Sequence, residues 1–437
     1  MKNLNLYVYA FFASLAGLLS GFDMGVISGA ILYIEKSFNL TPYLSGVLVG
    51  CASFGAIIGA ILNGLIIDKT GRKNTLLISA VIFISGSLFC FFSRNIFELI
   101  LSRTFLGCAV GIVSFAAPLY LSEISDKNKR GRIVSLYQLA ITFGILFSYF
   151  INYIFSSNIM NWRIMLSFGA IPAFIMLIGM IFNYDTPRWY ILKNNLNKAK
   201  EILTKLTEDK EIENRIEEIK STLENKNEKL SLSKKLLKPF IIGIGIMFIQ
   251  IATGINAIIY YAPVIFKQTG FNSDHDVLFI TIFIGLINFL MTFTAIALVD
   301  KIGRKPLLYI GLFGMSISSV LISISFVVCS LKYLAILGCA LYIISFSMSL
   351  GPVALLLISE VFPLKYRGVA MSLAIVANFL FNFAVTTIFP ILLNHIGGFY
   401  TFMIFSVICI LSIIFVKTII PETKGKSLEE IEKEFNF

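Results

Sequence analysis

Two stretches, LIIDKTGRKNTLL at residues 65–77 and ALVDKIGRKPLLY at residues 297–309, place the charged phrase D-K-x-G-R-K between two apolar runs. Their first charged residues, Asp68 and Asp300, lie 232 positions apart. In an apolar chain, such a cluster indicates a short polar connection between two hydrophobic helices. Its recurrence at a large interval suggests that the whole arrangement is duplicated.

The composition indicates a membrane protein. Of the 437 residues, 57% are hydrophobic and only 14% are charged, and the mean hydropathy is +0.85, whereas a soluble domain carries about a quarter charged residues. Apolar runs of about 20 residues recur, each long enough to cross roughly 30 Å of hydrocarbon. Only a helix satisfies its own backbone polar groups there, so the sequence predicts an all-α protein with twelve transmembrane helices.

The basic residues predict the orientation. Lys and Arg are concentrated in the connections after even-numbered spans, at Lys69, Arg72, Lys73, Lys127, Lys129, Arg130, Arg132, Lys301, Arg304, Lys305, Lys365 and Arg367. Because cytoplasmic loops carry such an excess, both termini are expected in the cytoplasm. This bias accounts for the net charge of +11, so no nucleic-acid partner is indicated.

A second phrase is also duplicated. Glu123 precedes Arg130 by seven residues, and Glu360 precedes Arg367 by the same seven, 237 positions later. A weaker echo at the same interval pairs Asp185-Thr186 with Glu422-Thr423. Three ordered pairs predict two homologous six-helix bundles, an internal duplication typical of transporters that move one half against the other.

The predicted domains follow from this repeat: an N-terminal bundle at 1–183, a linker at 184–237, a C-terminal bundle at 238–420 and a cytoplasmic tail at 421–437. The linker is charged but carries apolar residues at helical spacing, such as Ile202, Leu203 and Leu206. We expect two or three short cytoplasmic helices there; a disordered tether is the alternative.

The duplicated charges suggest a cytoplasmic charge gate. Its predicted members are Asp68, Arg72, Glu123, Arg130, Asp300, Arg304, Glu360 and Arg367. These groups could pair across the two halves in one conformation and separate in the other, which would bias a conformational equilibrium. The alternative is that they only fix the topology, but the positive-inside rule explains the cations and not the carboxylates.

Together these phrases resemble the sugar porter family of the major facilitator superfamily. The similar segments, in order along nearly the whole chain, are GFDMGVISGA at 21–30, both D-x-x-G-R-K loops, PLYLSEISDKNKRG at 118–131, DTPRWY at 185–190, TGINAIIYYAP at 253–263, GPVALLLISEVFPLKYRG at 351–368 and PETKG at 421–425. The resemblance implies the major facilitator fold, with a central sugar site that opens alternately to each side of the membrane.

Asp23 is a candidate proton-coupling residue. A charge at membrane depth costs about 2.5–3.5 kcal/mol on insertion scales, so it is rarely present without a use. Arg103 in the fourth span is a plausible partner, and a static structural ion pair is the alternative. Proton-coupled members of the family carry aspartate at the Asp23 position, whereas facilitative relatives commonly carry a neutral residue. The resemblance therefore favours symport.

Side-chain amides within the spans are the candidate sugar ligands, because an amide can donate to and accept from adjacent hydroxyls. They are Gln138, Gln250, Asn256, Asn288, Asn378 and Asn382, and they match sugar contacts in the family. A single buried amide more commonly joins two helices. Thr253-Gly254 could relax the seventh span so that both of its amides reach one pocket. Tyr260 and Tyr261 match the aromatic pair of the family's outer gate.

The sequence departs from the family at Ile251, where a second Gln is usual, and at Leu355, where Trp is common. We therefore expect a proton-coupled monosaccharide importer in a bacterial-type inner membrane, with the usual hexose or pentose assignment left open. The alternatives are a facilitative uniporter, a non-transporting sugar receptor and a drug–proton antiporter. The six cysteines lie in apolar spans without ligand spacing. We expect no enzyme activity, metal, cofactor or obligate protein partner.

Overall fold

The computed structural model describes residues 2–126, 129–206, 212–224, 237–363, 366–424, 426 and 430. The helices before the linker are α1 (Lys2–Phe38), α2 (Pro42–Thr70), α3 (Arg72–Phe92), α4 (Ile96–Ile124), α5 (Arg130–Phe155), α6 (Asn161–Ser167) and α7 (Ala170–Phe182). Three short helices follow, α8 (Pro187–Leu192), α9 (Leu196–Leu206) and α10 (Ile212–Glu224). The remaining helices are α11 (Leu237–Ala252), α12 (Ile255–Gln268), α13 (Asp274–Ile302), α14 (Arg304–Val327), α15 (Tyr333–Met348), α16 (Leu350–Val361), α17 (Arg367–His395) and α18 (Gly397–Thr418).

Twelve segments in the described part of the chain are long and apolar enough to cross a membrane. Three of them are built from two helices each, namely α6 with α7, α11 with α12, and α15 with α16. The prediction of an all-α protein with twelve spans is confirmed. Helices α8 to α10 lie between the sixth and seventh spans, where Ile191, Leu203 and Ile216 form a small apolar core.

Close packing of α1 on α5 explains a run of glycines at four-residue spacing. A Cβ on Gly21 would lie 1.9 Å from the Ile141 carbonyl oxygen, and one on Gly25 would lie 2.0 Å from the Ser148 hydroxyl. Both distances are far below van der Waals contact. The two backbones can therefore approach only because these positions lack a side chain.

Two compact units are distinguished by their internal contacts. Unit 1 comprises Met1–Asp23, Phe54–Gly144 and Leu166–Leu230, and unit 2 comprises Met24–Ser53, Ile145–Met165 and Ser231–Phe437. Unit 2 thus contains the whole described C-terminal half together with parts of α1, α2, α5 and α6. The domain boundaries expected from the repeat stay a prediction.

Candidate substrate and proton site

Asp23 and Arg103 form a buried ion pair within unit 1. The Arg103 Nη1 lies 3.2 Å from the Asp23 Oδ1, and the two side chains are 1% and 6% exposed. Removing two charges from water costs several kcal/mol per ion, which their attraction offsets only when the geometry is good. Protonation of Asp23 would neutralise the carboxylate that faces the Arg103 guanidinium. The pair therefore has the chemistry of a proton-dependent switch.

The seventh span is interrupted at Thr253-Gly254, between α11 and α12. Gly254 has φ +101°, in the left-handed region that favours glycine, and a Cβ there would lie 2.8 Å from the Phe405 ring. The interruption lets amides from both sides of the break reach the same neighbouring helix. Gln250 precedes it, Asn256 follows it, and both bond to α17.

Four amides of unit 2 are joined in two pairs. The Asn378 Nδ2 donates to the Gln250 Oε1 at 2.9 Å, and the Asn256 Nδ2 donates to the Asn382 Oδ1 at 2.8 Å. Asn378 and Asn382 lie one turn apart on α17, so they present both pairs on one side of that helix. The four amides therefore offer several hydrogen-bond donors and acceptors on one side of α17.

Ser53 completes this cluster and was missed by the sequence reasoning. The Asn382 Nδ2 donates to the Ser53 hydroxyl at 2.9 Å and to the Tyr260 hydroxyl at 3.3 Å. Ser53 is one of many serines in apolar spans, and nothing in its local sequence distinguishes it. We call Gln250, Asn256, Asn378, Asn382 and Ser53 the amide cluster.

The other two predicted ligands take no part in the hydrogen bonds described for this cluster. Asn288 on α13 accepts a hydrogen bond from the Ser347 hydroxyl at 2.9 Å. Gln138 is half-buried on α5 and belongs to unit 1, whereas the amide cluster belongs to unit 2. Tyr261, predicted with Tyr260 to form the outer gate, is buried, and its hydroxyl donates to the Thr386 carbonyl at 3.0 Å. The outer gate stays a prediction.

In the N-terminal half, the duplicated charges form a compact network. The Arg72 Nε lies 2.9 Å from the Glu123 Oε2, and its Nη1 lies 3.2 Å from the Asp68 Oδ1. The Thr186 hydroxyl also donates to Glu123, while the Asp185 carboxylate accepts the backbone N–H groups of residues 72 and 73 at 3.1 and 3.2 Å. The D-x-x-G-R-K loop is thereby fixed to the end of the fourth span and to the start of the linker.

The C-terminal half repeats the same network. The Arg304 Nη2 lies 2.8 Å from the Glu360 Oε1, and the Thr423 hydroxyl donates to the other Glu360 oxygen at 2.6 Å. The Glu422 carboxylate accepts the backbone N–H groups of Arg304 and Lys305 at 3.2 and 2.9 Å. Each half thus places its own carboxylate, arginine, threonine and capping acid at equivalent positions, which explains why the phrases recur in one order.

The predicted charge gate requires pairing across the two halves, whereas the ion pairs described for its members join residues of the same half. Arg130 is exposed at the start of α5. The side chains of Asp300 and Arg367 lie outside the described part of the structure. The cross-half charge gate therefore stays a prediction.

Comparisons with known proteins identify the family. A family model described as "Sugar (and other) transporter" matches residues 9–435. The chain belongs to this family of sugar transporters. It is 38% identical to the galactose-proton symporter of Escherichia coli (strain K12), over 98% of this chain and 94% of that one. It is 39% identical to a D-xylose transporter of Levilactobacillus brevis, with the same coverage.

A solved structure gives the same family. The partially occluded inward-open conformation of the xylose transporter XylE from E. coli matches with a TM-score of 0.88 and 31% identity, over 97% of this chain and 100% of that chain. The predictions of the sugar porter family and of the major facilitator fold are confirmed. The predictions that the protein is a membrane transporter and that it is not an enzyme are also confirmed.

Proposed function

We propose that this protein imports a monosaccharide together with a proton by alternating access. The observation that carries the proposal is the buried Asp23–Arg103 pair in a chain whose relatives include a galactose-proton symporter. A membrane-embedded carboxylate with a paired cation is a typical proton-exchange group. The inward-directed proton gradient would supply the energy for uphill sugar uptake.

The amide cluster is the proposed sugar site. Its amides bond to one another, so a bound sugar would exchange amide–amide bonds for amide–hydroxyl bonds at little net cost. The aromatic ring of Tyr260, whose hydroxyl bonds to Asn382, can cover the C–H face of the sugar. Gln138 and Asn288 are further proposed ligands.

The proposed substrate class is a hexose or a pentose. Relatives of this chain include a galactose-proton symporter and a D-xylose transporter. Two features set this chain apart: Ile251 is apolar and buried, and Leu355 offers no aromatic surface for stacking. One fewer amide and one fewer aromatic ring favour a sugar that needs one fewer polar contact and less stacking.

We also propose that the protein lies in a bacterial-type inner membrane with both termini in the cytoplasm. The distribution of Lys and Arg in the connections supports this orientation. The charge networks around Glu123 and Glu360 would then lie at the cytoplasmic ends of the spans. Proteolysis or labelling of the termini in right-side-out vesicles would test it.

Uptake into proteoliposomes tests the proposed function. With an inward proton gradient, the parent should accumulate radiolabelled galactose or xylose above the external concentration. Asp23→Asn should lose this accumulation but retain counterflow, because exchange of sugar for sugar needs no net proton movement. Uphill accumulation by Asp23→Asn would refute proton coupling through this residue, and counterflow without accumulation in the parent would identify a facilitative uniporter.

A further inference from the structure

Proline interrupts the hydrogen-bond ladder of α12 beside the amide cluster. Pro263 lies inside this helix and has no N–H group. The carbonyl of Ile259, four residues earlier, therefore lacks its usual helical donor. A buried carbonyl without a donor is unfavourable in a membrane span, where water is absent. The Tyr149 hydroxyl on α5 fills this role, donating to the Ile259 carbonyl at 2.9 Å.

The C-terminal half also provides space for the Tyr149 ring, which lies in the same compact unit. Gly285 on α13 faces this ring, and a Cβ at that position would lie 2.7 Å from it. Tyr149 is only 2% exposed. The missing side chain at 285 and the missing N–H at 263 are independent features of the C-terminal half. Both fit the same tyrosine of the N-terminal half.

Two other tyrosines donate to carbonyls that lie beside a helix interruption or four residues before a proline. Unlike Tyr149, both belong to the C-terminal half. The Tyr342 hydroxyl donates at 2.6 Å to the carbonyl of Thr253, at the interruption of the seventh span. The Tyr261 hydroxyl donates to the carbonyl of Thr386, which Pro390 leaves without a helical donor. Both of these bonds lie within the C-terminal half. A movement of one half against the other would leave them intact and would break the bond of Tyr149.

We propose that Tyr149 is a positioning residue that holds α5 against α12 in one transport state and releases it in the other. Its hydroxyl, the Ile259 carbonyl and the space above Gly285 form what we call the Tyr149 latch. The proposal rests on the alternating access of the proposed function. Ile259 directly precedes Tyr260, whose hydroxyl bonds to Asn382, so the latch ties the position of α5 to the amide cluster.

A second contact between the halves lies at the ends of the spans remote from the D-x-x-G-R-K loops. The Lys36 Nζ at the end of α1 lies 2.6 Å from Asp274 at the start of α13, and Lys267 pairs with the same carboxylate. The Lys36 side chain is 60% exposed. Such an exposed pair contributes little by itself, so the buried latch is expected to dominate the closure of this end.

Distance measurements between spin labels test the latch. The labels would be placed on cysteines introduced at Ser37 and Gln268, which are both exposed, in a chain whose six native cysteines are replaced by alanine. In Tyr149→Phe, which keeps the ring but removes the donor, the ratio of long to short distances should rise about tenfold, the effect of leaving a buried carbonyl unpaired. Gly285→Ala should shift the ratio in the same direction, because it displaces the ring.

Tyr342→Phe is the matched control. It removes a tyrosine–carbonyl bond within one half, so it should lower the melting temperature without changing the distance ratio. An unchanged ratio in Tyr149→Phe, or an equal rise in Tyr342→Phe, would overturn the latch. Sugar counterflow by the labelled parent separates the two hypotheses. If the parent shows counterflow but the distance ratio of Tyr149→Phe is unchanged, the latch is wrong and the transport function stands. If the ratio rises but the parent shows no counterflow, the transport function is wrong and the conformational role of Tyr149 stands.

Discussion

The acid that caps α3 is expected to make the stability of the protein depend on pH. Asp185 is almost fully buried and accepts backbone N–H groups from Arg72, Lys73 and Thr186. Burial raises the pKa of Asp185 from 3.8 to about 6, and these donors oppose the rise without cancelling it. The folded protein therefore holds a proton on Asp185 at pH values where the unfolded chain has released it.

The sign of the effect follows from this difference. A raised folded-state pKa contributes stability that is fully present below about pH 4 and is lost as the pH rises through about 6. At about 1.4 kcal/mol per pH unit, the loss amounts to roughly 3 kcal/mol. Asp185→Asn carries no titratable group, so it lacks this loss. The melting temperature of the variant minus that of the parent should rise by several degrees between pH 4 and pH 7.5.

Glu422 provides the matched control, because it caps α14 as Asp185 caps α3. Burial acts to raise the pKa of Glu422, but backbone N–H groups from four residues outweigh this effect and lower the pKa. The donors are Lys424, Lys305, Arg304 and Thr423. Its contribution to stability is present above about pH 4.5 and is lost as the pH falls through the lowered pKa. The melting temperature of Glu422→Gln minus that of the parent should therefore stay constant above pH 5.5. A constant difference for Asp185→Asn across the whole range would refute the reasoning.

Two further predictions concern the sugar site and the charge networks around Glu123 and Glu360. Asn256→Ala removes the donor to Asn382 and a sugar ligand, so apparent sugar affinity in a binding assay should fall by about one to two decades. The control Asn152→Ala removes a buried amide that bonds to α1 and should leave the affinity unchanged. Parental affinity in Asn256→Ala would place the sugar elsewhere. The cross-half gate predicts that Glu123→Gln or Glu360→Gln raises labelling of an introduced cysteine from the cytoplasmic side about two- to fivefold, because each carboxylate would lose a partner in the opposite half worth roughly 0.5–1 kcal/mol in the cytoplasm-closed state. Unchanged labelling in both variants would count against a gate.

Features that repeat along the chain were predictable from the sequence. The apolar runs indicate twelve helices because each crosses the same thickness of hydrocarbon. The equal spacing of Glu123 and Glu360 indicates two homologous halves because duplication preserves intervals. Asn378 and Asn382 share a side of α17 because a helix repeats every 3.6 residues. Each of these inferences rests on a period or an interval, which a sequence records directly.

Partners contributed by distant spans could not be predicted in the same way. Ser53 bonds to Asn382 across 329 positions, and one serine in an apolar span resembles every other. The duplicated acids illustrate a second limit. Asp185 and Glu422 occupy equivalent places in the repeat, yet their pKa values shift in opposite directions, because the result depends on the extent of burial and the number of N–H donors.

The interruptions in the spans show how the lipid environment constrains a transporter. Without water, every carbonyl that proline or glycine removes from a helical ladder needs another donor. A donor within the same half, such as Tyr342 for Thr253, makes the interruption a fixed part of the fold. A donor from the other half, such as Tyr149 for Ile259, makes it favourable only while the halves are in contact at that point. A tyrosine hydroxyl can thus replace a missing helical donor. If it comes from the same half it stabilises the fold, and if it comes from the other half it stabilises one state of the transport cycle.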